Sequence, residues 1–249
     1  MSYTVALLDT ENGKDSVADL ITSGQVVRYD CSTWEKFEAV AWAFYYKQLT
    51  ADLLVVDTLS SIVSQYVNDC TIEPSDINPQ AGKTLWSLRK KMRTNQDIWN
   101  IVNYGVLYMI TMIRQLPIPS IFNTHERERE DPTADVEGVD RHMPSLTPKI
   151  LTHLMARSDL VLRLYRSPTA ISFAGVSYPA NTRVLQLVNT SSAYTGLRVT
   201  PAIDSNLPDY IVEPTLAKLA SAVGYLPHGM TVYGFPKVGK TVFSCTLPN

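Results

Sequence analysis

The residues best suited to chemistry form a phosphate-binding loop at residues 234–241. The stretch fits the pattern G-x-x-x-x-G-K-[ST], in which backbone N–H groups surround phosphate oxygens. Lys240 is predicted to reach the β- and γ-phosphates, and Thr241 to hold Mg²⁺ through its hydroxyl. The other interpretation is a chance match in an ordinary turn. The residues predicted to contact the nucleotide, ATP, are Gly234, Phe235, Pro236, Lys237, Val238, Gly239, Lys240 and Thr241.

Strand and helix signals frame this loop. Residues 230–233 are apolar and β-prone and lead directly into Gly234, while Pro248 limits the following helix to about two turns. The rest of the nucleotide-binding machinery is therefore expected earlier in the chain. We predict a circularly permuted order, in which the loop strand and helix at 229–249 precede residue 1 of the unpermuted fold. The alternative is a truncated second domain.

Two acidic residues end apolar strands and are predicted to complete the site. Asp57 closes the strand 53–57 and is the candidate Walker-B carboxylate for Mg²⁺, although it could instead cap the helix that begins at Thr58. Glu11 is the candidate general base that orients the attacking water. Asp9 lies two residues earlier on the same face and competes for that role. The alternative is that Asp9 and Glu11 are both solvated.

A third strand, near residues 120–125, also ends in polar side chains. His125 is predicted to sense the γ-phosphate and to transmit its presence to the next loop, and Thr124 is the alternative sensor. A histidine in this position can also be hydrogen-bonded locally without any such role.

A basic segment between residues 83 and 93 is the candidate DNA-binding site. It combines five basic residues with one tryptophan and no acid, a composition suited to pairing with phosphates and stacking on bases of single-stranded DNA. The other interpretation is the solvated face of a helix. The residues predicted to contact DNA are Lys83, Trp86, Arg89, Lys90, Lys91 and Arg93.

Apolar strand-like segments alternate with helical ones along the chain. Strands are predicted near 4–10, 26–29, 52–57, 120–125, 158–165, 169–174, 183–189, 195–199 and 230–233, and helices near 14–22, 32–48, 96–115 and 214–223. Ser32 or Thr33 is expected to cap the second helix, and 70–82 and 126–145 are expected to be loops. This alternation predicts an α/β fold with a mostly parallel twisted sheet flanked by helices, in one domain over residues 1–249.

The composition of the chain favours a globular protein without a transmembrane helix. A chain of 249 residues with 45% apolar content can bury a large core, and no uninterrupted apolar run reaches 18 residues. The N-terminus lacks a signal-peptide pattern, and the cysteines (Cys31, Cys70 and Cys245) form no C-x-x-C motif. We therefore expect a cytoplasmic protein with reduced thiols and no membrane contact. A net charge of −2 argues against binding nucleic acid by bulk charge, but it leaves room for a local patch.

The motifs together resemble a known family. In rotated order, the strings are G-F-P-K-V-G-K-T, L-L-D-T-E-N-G and L-L-V-V-D-T-L-S-S-I, followed by I-F-N-T-H-E-R-E and S-D-L-V-L-R-L-Y. This set resembles the RecA-like phage ATPases. Within them it is most similar to the phage nucleotide-binding proteins that act as ATP-dependent single-strand annealing recombinases. The resemblance covers nearly the whole chain.

The resemblance implies roles and partners. The matching positions are Walker A at Lys240 and Thr241, Walker B at Asp57, the catalytic glutamate at Glu11 and the sensor at His125. It also implies head-to-tail assembly on single-stranded DNA, with ATP between protomers and a basic residue supplied in trans, for which Arg198 is the candidate. A single-strand-binding protein is a further expected partner, and the bacterial host's cytoplasm is the expected location.

Two functions follow as expectations. The first is a slow, DNA-stimulated ATPase that binds and pairs single-stranded DNA in phage recombination. The second is a nucleotide-dependent assembly switch that holds a protein partner without DNA.

Overall fold

The computed structural model describes residues 3–71, 95–130, 140–198 and 207–246. The strands are β1 Val5–Asp9, β2 Val26–Asp30, β3 Leu53–Asp57, β4 Ser120–Glu130, β5 Asp140–Pro144, β6 Leu160–Arg166, β7 Ile171–Phe173, β8 Val176–Tyr178, β9 Arg183–Gln186, β10 Gly196–Leu197, β11 Tyr210–Val212 and β12 Gly229–Gly234. The helices are α1 Ala18–Thr22, preceded by a 3₁₀ turn at Lys14–Val17, then α2 Trp34–Tyr45, α3 Leu59–Thr71, α4 Asn95–Arg114, α5 Pro148–Arg157, α6 Leu216–Val223 and α7 Lys240–Cys245.

One mixed sheet organises these elements. Its strand order is β11-β9-β6-β12-β4-β3-β1-β2, and the strands from β6 across to β2 run parallel. β9 and β11 continue it antiparallel, while β10 and β5 pair antiparallel with β6 and β4. The α/β fold with a mostly parallel sheet is therefore confirmed.

The parallel strands are buried on both faces. Successive side chains point to opposite faces of a strand, so Leu54 and Val56 pack with helices α2 to α5, whereas Leu53 and Val55 pack with α6 and α7. All four side chains are fully buried. This two-layer burial explains why the strands appear in the sequence as continuous apolar runs.

Strand β12 lies in the middle of the sheet. It pairs in parallel with β4, from Gly229 opposite Ser120 to Gly234 opposite His125, and with β6 on its other side. Its carboxyl end therefore opens at the same edge as those of β1, β3 and β4. Ligands of open α/β sheets bind at this edge.

The prediction of a loop over 126–145 was wrong where the structure describes that stretch. β4 continues to Glu130 and forms a hairpin with β5, with Glu126 opposite Pro144. Residues 126–130 are all charged, so the usual alternation of apolar and polar residues in a half-buried strand was missing from the sequence. Residues 131–139 lie outside the described residues.

Helix α5 was missed, although its start signal is present. Thr147 accepts a hydrogen bond from the Ile150 amide, and Pro148 occupies the first turn. Thr33 caps α2 in the same way, as the sequence predicted. In the described ranges, none of the helices combines the length and the apolar content needed to cross a bilayer.

Candidate nucleotide-binding site

The loop after β12 folds around its own lysine. Lys240 is 6% exposed, and its Nζ donates hydrogen bonds to the carbonyls of Gly234 (2.9 Å) and Phe235 (3.1 Å). Burial lowers the pKa of Lys240, while the nearby carboxylate of Asp57 acts in the opposite direction. The ammonium group thus lies inside the loop, where phosphate oxygens can replace the carbonyls as its partners.

Two glycines of the motif are required by this geometry. A Cβ on Gly234 would lie 2.0 Å from the backbone oxygen of Leu164, so the loop can leave the sheet there only without a side chain. Gly239 has a φ of +96°, in the left-handed region that disfavours other residues. Both glycines of the motif therefore meet constraints that the backbone imposes at their positions.

A buried chain of hydrogen bonds joins the loop helix to two strands. Thr241 Oγ1 donates to Asp57 Oδ2 at 2.5 Å, and Asn123 Nδ2 donates to Asp57 Oδ1 at 3.0 Å. The side-chain oxygen of Asn123 in turn accepts from Ser244 Oγ at 2.9 Å. Burial raises the pKa of Asp57, against the lowering effect of these hydrogen bonds. The network brings together the two predicted Mg²⁺ ligands, Thr241 and Asp57.

Glu11 is held by three donors on one oxygen. His125 Nε2 lies 2.7 Å from its Oε1, and the hydroxyls of Thr58 (2.8 Å) and Ser61 (2.9 Å) donate to the same atom. The hydrogen bond from His125 is the main cause of a Glu11 pKa lowered to about 2. The carboxylate is therefore ionised at neutral pH, and 36% of its side chain stays exposed. The structure thus places two predicted residues, the base and the sensor, in direct contact.

Asp9, the alternative candidate for the general base, is engaged in other hydrogen bonds. Its Oδ2 accepts from Arg28 Nε at 2.7 Å, and its Oδ1 accepts from the backbone N–H groups of Glu11 and Gly13. The side chain is 2% exposed. Asp9 therefore shapes the turn that carries Glu11 and does not face the site.

Comparison with known proteins bears on this arrangement. A family model described as an AAA domain matches residues 2–199. The chain belongs to the AAA domain family. No curated protein and no solved structure matches it.

Family membership indicates a nucleotide-dependent activity, in general that of an ATPase. The matched part of this AAA domain contains Glu11, Asp57 and His125, and the loop at 234–241 follows it in sequence. The sheet nevertheless brings the two parts together, because β12 lies between β4 and β6. The candidate site therefore combines residues inside the part that matches the family model with a loop that lies outside it.

The donor set of the AAA domain fits a magnesium nucleotide. In the described part of the chain, no cluster of three or more His, Cys, Asp and Glu side chains could hold a metal without other ligands. Mg²⁺ commonly takes one or two carboxylates and completes its shell with phosphates and water. Asp57 and the hydroxyl of Thr241 would supply that share. The two groups are directly hydrogen-bonded, so their oxygens are close enough to belong to the coordination shell of one metal ion.

Two predicted functional elements stand apart from this cluster. Arg198 follows β10 at the opposite edge of the sheet, where its Nη2 donates to the carbonyl of Ala156 and its backbone N–H donates to Asp159. It therefore takes no part in the site of its own protomer, and its role in trans stays a prediction. The predicted DNA contacts between Lys83 and Arg93 lie outside the described residues.

Sequence reasoning missed several supporting residues. Asn123 and Ser244 complete the Asp57 network, and Thr58 and Ser61 hold Glu11; these short polar side chains have no motif of their own. Of these residues, only Asn123 could have been suspected from the sequence, because it lies two residues before the predicted sensor on the same strand.

Arg183 is a further missed residue beside the loop. Its side chain lies 3.4 Å from the position that a Cβ on Gly239 would occupy. Nε and Nη2 both donate to Glu213 Oε2, at 3.0 and 2.9 Å. Nothing in the sequence placed this strand next to the loop, because β9 reaches it only by pairing with β6.

A cavity of about 750 Å³ opens beside the loop. Phe235 and Val238 form its loop side, and the rest of its lining comes from β6, β9 and their following segments, with His142 of β5 and Tyr210 of β11. Phe235 is 48% exposed, and its ring meets His142 edge-on at 6.2 Å between centroids. The volume lies within the usual range for small-molecule sites.

Proposed function

We propose that this AAA domain is an ATPase that uses Mg·ATP. The observation that carries the proposal is the convergence of Lys240, Thr241, Asp57, Glu11 and His125 at the carboxyl ends of β1, β3, β4 and β12. Hydrolysis of a γ-phosphate needs three kinds of group. They are a loop that binds the phosphates, a carboxylate that binds the metal ion and an ionised carboxylate that orients the attacking water.

Hydrolysis uses these groups as follows. Glu11 orients a water molecule and accepts its proton as the water oxygen bonds to the γ-phosphorus. The bond between that phosphorus and the β-phosphate oxygen breaks, and ADP and inorganic phosphate leave. Lys240 stabilises the charge that develops on the phosphate oxygens. Thr241 and Asp57 would hold Mg²⁺, which would supply further neutralisation of the charge on the phosphates.

The cavity beside Phe235 is proposed to take the base and ribose. Phe235 and Tyr165 offer ring faces, and the Gln186 amide nitrogen donates to Val188 and Thr190, which leaves its oxygen as an acceptor. An exocyclic amino group matches such an acceptor.

The finer role proposed is ATP-dependent binding and annealing of single-stranded DNA in phage recombination. Its support is the resemblance of the motifs to phage recombinases and the basic composition of the segment from Lys83 to Arg93. The proposal includes head-to-tail assembly with Arg198 acting in trans, and a single-strand-binding protein as a partner in the host's cytoplasm.

A rotated element order belongs to the same proposal. Its support is the place of β12 between β4 and β6, together with a family match that covers residues 2–199. Helix α7 also packs on the 3₁₀ turn at Lys14–Val17, close to the start of the matched part. A variant with residues 229–249 moved in front of residue 3 through a short linker should still bind ATP.

The test is ATP hydrolysis measured with and without single-stranded DNA. We expect stimulation by DNA, and loss of all turnover in Lys240→Ala. The charge-reversed triple variant of Arg89, Lys90 and Lys91 should keep basal turnover and lose the stimulation. Hydrolysis that depends on Lys240 but ignores DNA would favour the second function, an assembly switch that holds a protein partner. Turnover that survives Lys240→Ala would refute the ATPase site.

A further inference from the structure

An exposed group of aromatic side chains lies on the helical layer formed by α2 and α4. Trp42 is its centre, and its ring lies 5.4 Å from Tyr45, 5.6 Å from Tyr46 and 6.0 Å from Tyr108 between centroids. Tyr104 lies one helical turn before Tyr108 on α4. We call these five residues the aromatic patch.

The aromatic patch is large for the surface of a monomer. The exposed fractions are 45% for Tyr45, 65% for Tyr46, 64% for Tyr104 and 56% for Tyr108. With about 150–250 Å² per aromatic side chain, they expose about 350–575 Å² together. This value lies within the range of the largest apolar patch on a typical monomer, and such patches are often functional.

The patch is also nearly free of charge. Helix α4 contains no Asp, Glu, Lys or Arg from Ile98 to Ile113. Lys149 contacts the patch, with its Nζ 4.0 Å above the Tyr104 ring, and Glu38 and Lys47 are the charged residues closest to Trp42 in sequence. Interface centres show this combination of enriched aromatic residues and depleted charge.

We infer that the aromatic patch is an isologous interface with a second copy of this chain. In a two-fold interface the same surface meets itself, so a charged patch would repel its own copy, whereas an uncharged one can pack on it. Two copies would bury about 700–1,150 Å² from these rings if all of their exposed area were covered, a range that includes the lower limit of about 1,000 Å² for a specific interface. Single-stranded DNA is a weaker candidate partner for the aromatic patch. Its phosphates bind to clusters of positive charge, and only Lys47 and Lys149 are named beside the patch.

Part of the aromatic patch lies at the edge of the sheet opposite the nucleotide-binding site. Helix α2 begins after the carboxyl end of β2 and runs back, so Tyr45 and Tyr46 lie towards the amino-terminal edge of the sheet. Glu11 and Asp57 lie at the opposite edge. The dimer should therefore form without ATP, unlike the head-to-tail assembly proposed above, and it does not depend on that proposal.

The test is the molar mass of the full chain by sedimentation equilibrium over a range of concentrations, without nucleotide. We expect a dimer for the native chain and a dissociation constant at least about 30-fold weaker for both Tyr108→Glu and Tyr108→Lys. An equimolar mixture of these two variants should recover the dimer, because opposite charges then meet across the two-fold axis. Tyr3→Glu, at another exposed tyrosine, is the matched control and should dimerise normally.

Each other outcome overturns the inference. A native chain that is monomeric at every concentration, or a dimer that persists in both Tyr108 variants, would show that the patch does not join two copies. Loss of affinity for single-stranded DNA in Tyr108→Glu, with the native chain monomeric, would assign the rings to base stacking. Circular dichroism spectra like that of the native chain confirm that the variants are folded; their thermal unfolding should fall with loss of the dimer.

Discussion

The hydrogen-bond chain from Ser244 through Asn123 to Asp57 allows a quantitative test of how the site is built. Asn123 is fully buried and lies on β4 between the loop helix and β3. Asn123→Leu keeps the approximate volume but removes one hydrogen bond to a carboxylate and one to a hydroxyl. A bond to a charged group contributes about 1.5–3 kcal/mol and a neutral one about 0.5–1.5 kcal/mol. We expect the free energy of unfolding to fall by about 2–4 kcal/mol.

Ser244→Ala provides the matched variant. It removes only the neutral hydrogen bond and should cost about 1 kcal/mol. Because the bond between Ser244 and Asn123 is lost in either variant, the double variant should be no less stable than Asn123→Leu alone. The coupling free energy is then about 1 kcal/mol.

The assay is urea unfolding without nucleotide, followed by tryptophan fluorescence. A loss below about 0.5 kcal/mol in Asn123→Leu would refute the network as a source of stability. Strictly additive effects of Asn123→Leu and Ser244→Ala would show that the two side chains act separately, contrary to the geometry.

Three further predictions concern charged groups of the site. Asp57→Asn should abolish the Mg²⁺ dependence of ATP hydrolysis and reduce turnover at least about 100-fold, measured by phosphate release over a magnesium titration. Arg183→Ala should weaken ATP binding about 3- to 10-fold in calorimetry, while Arg157→Ala, an exposed arginine at the opposite edge, should leave it unchanged. Glu11, with its pKa lowered to about 2, binds fewer protons when folded than when unfolded, so its stabilisation is present above pH 4.5 and is lost as the pH falls towards 2. His125→Gln removes the main cause of that shift, so the stability difference from the native chain should shrink over this pH interval in acid-unfolding curves; a difference that stays constant would contradict the assignment.

The parallel strands and the phosphate-binding loop could be predicted from sequence because each has a local residue pattern. Buried parallel strands are continuous apolar runs, and the pattern of acids at or just after their ends places Asp57 and Glu11 at the carboxyl edge of the sheet, as the structure does; their roles in the site stay predictions. The phosphate loop was recognisable because Gly234 and Gly239 satisfy constraints on the backbone itself.

The rest depends on contacts between distant parts of the chain. Asp9 ends β1 and Glu11 lies in the turn that follows, and only the position of Arg28 on the neighbouring strand shows that Asp9 is already paired. Arg183 reaches the loop through strand pairings that no local pattern encodes. The β4–β5 ribbon was predicted as a loop because most of its side chains are charged, and the backbone pairing that forms it has no local sequence pattern.

The most direct test of the account compares ATP binding and ATP hydrolysis in Glu11→Gln. The amide keeps the shape of the side chain but cannot accept the proton of the attacking water. We predict a dissociation constant for Mg·ATP within about threefold of the native value and a single-turnover hydrolysis rate lower by about 10²–10⁴, the range for loss of a general base. Hydrolysis at the native rate in Glu11→Gln would contradict the assignment of Glu11 and, with it, the proposed mechanism.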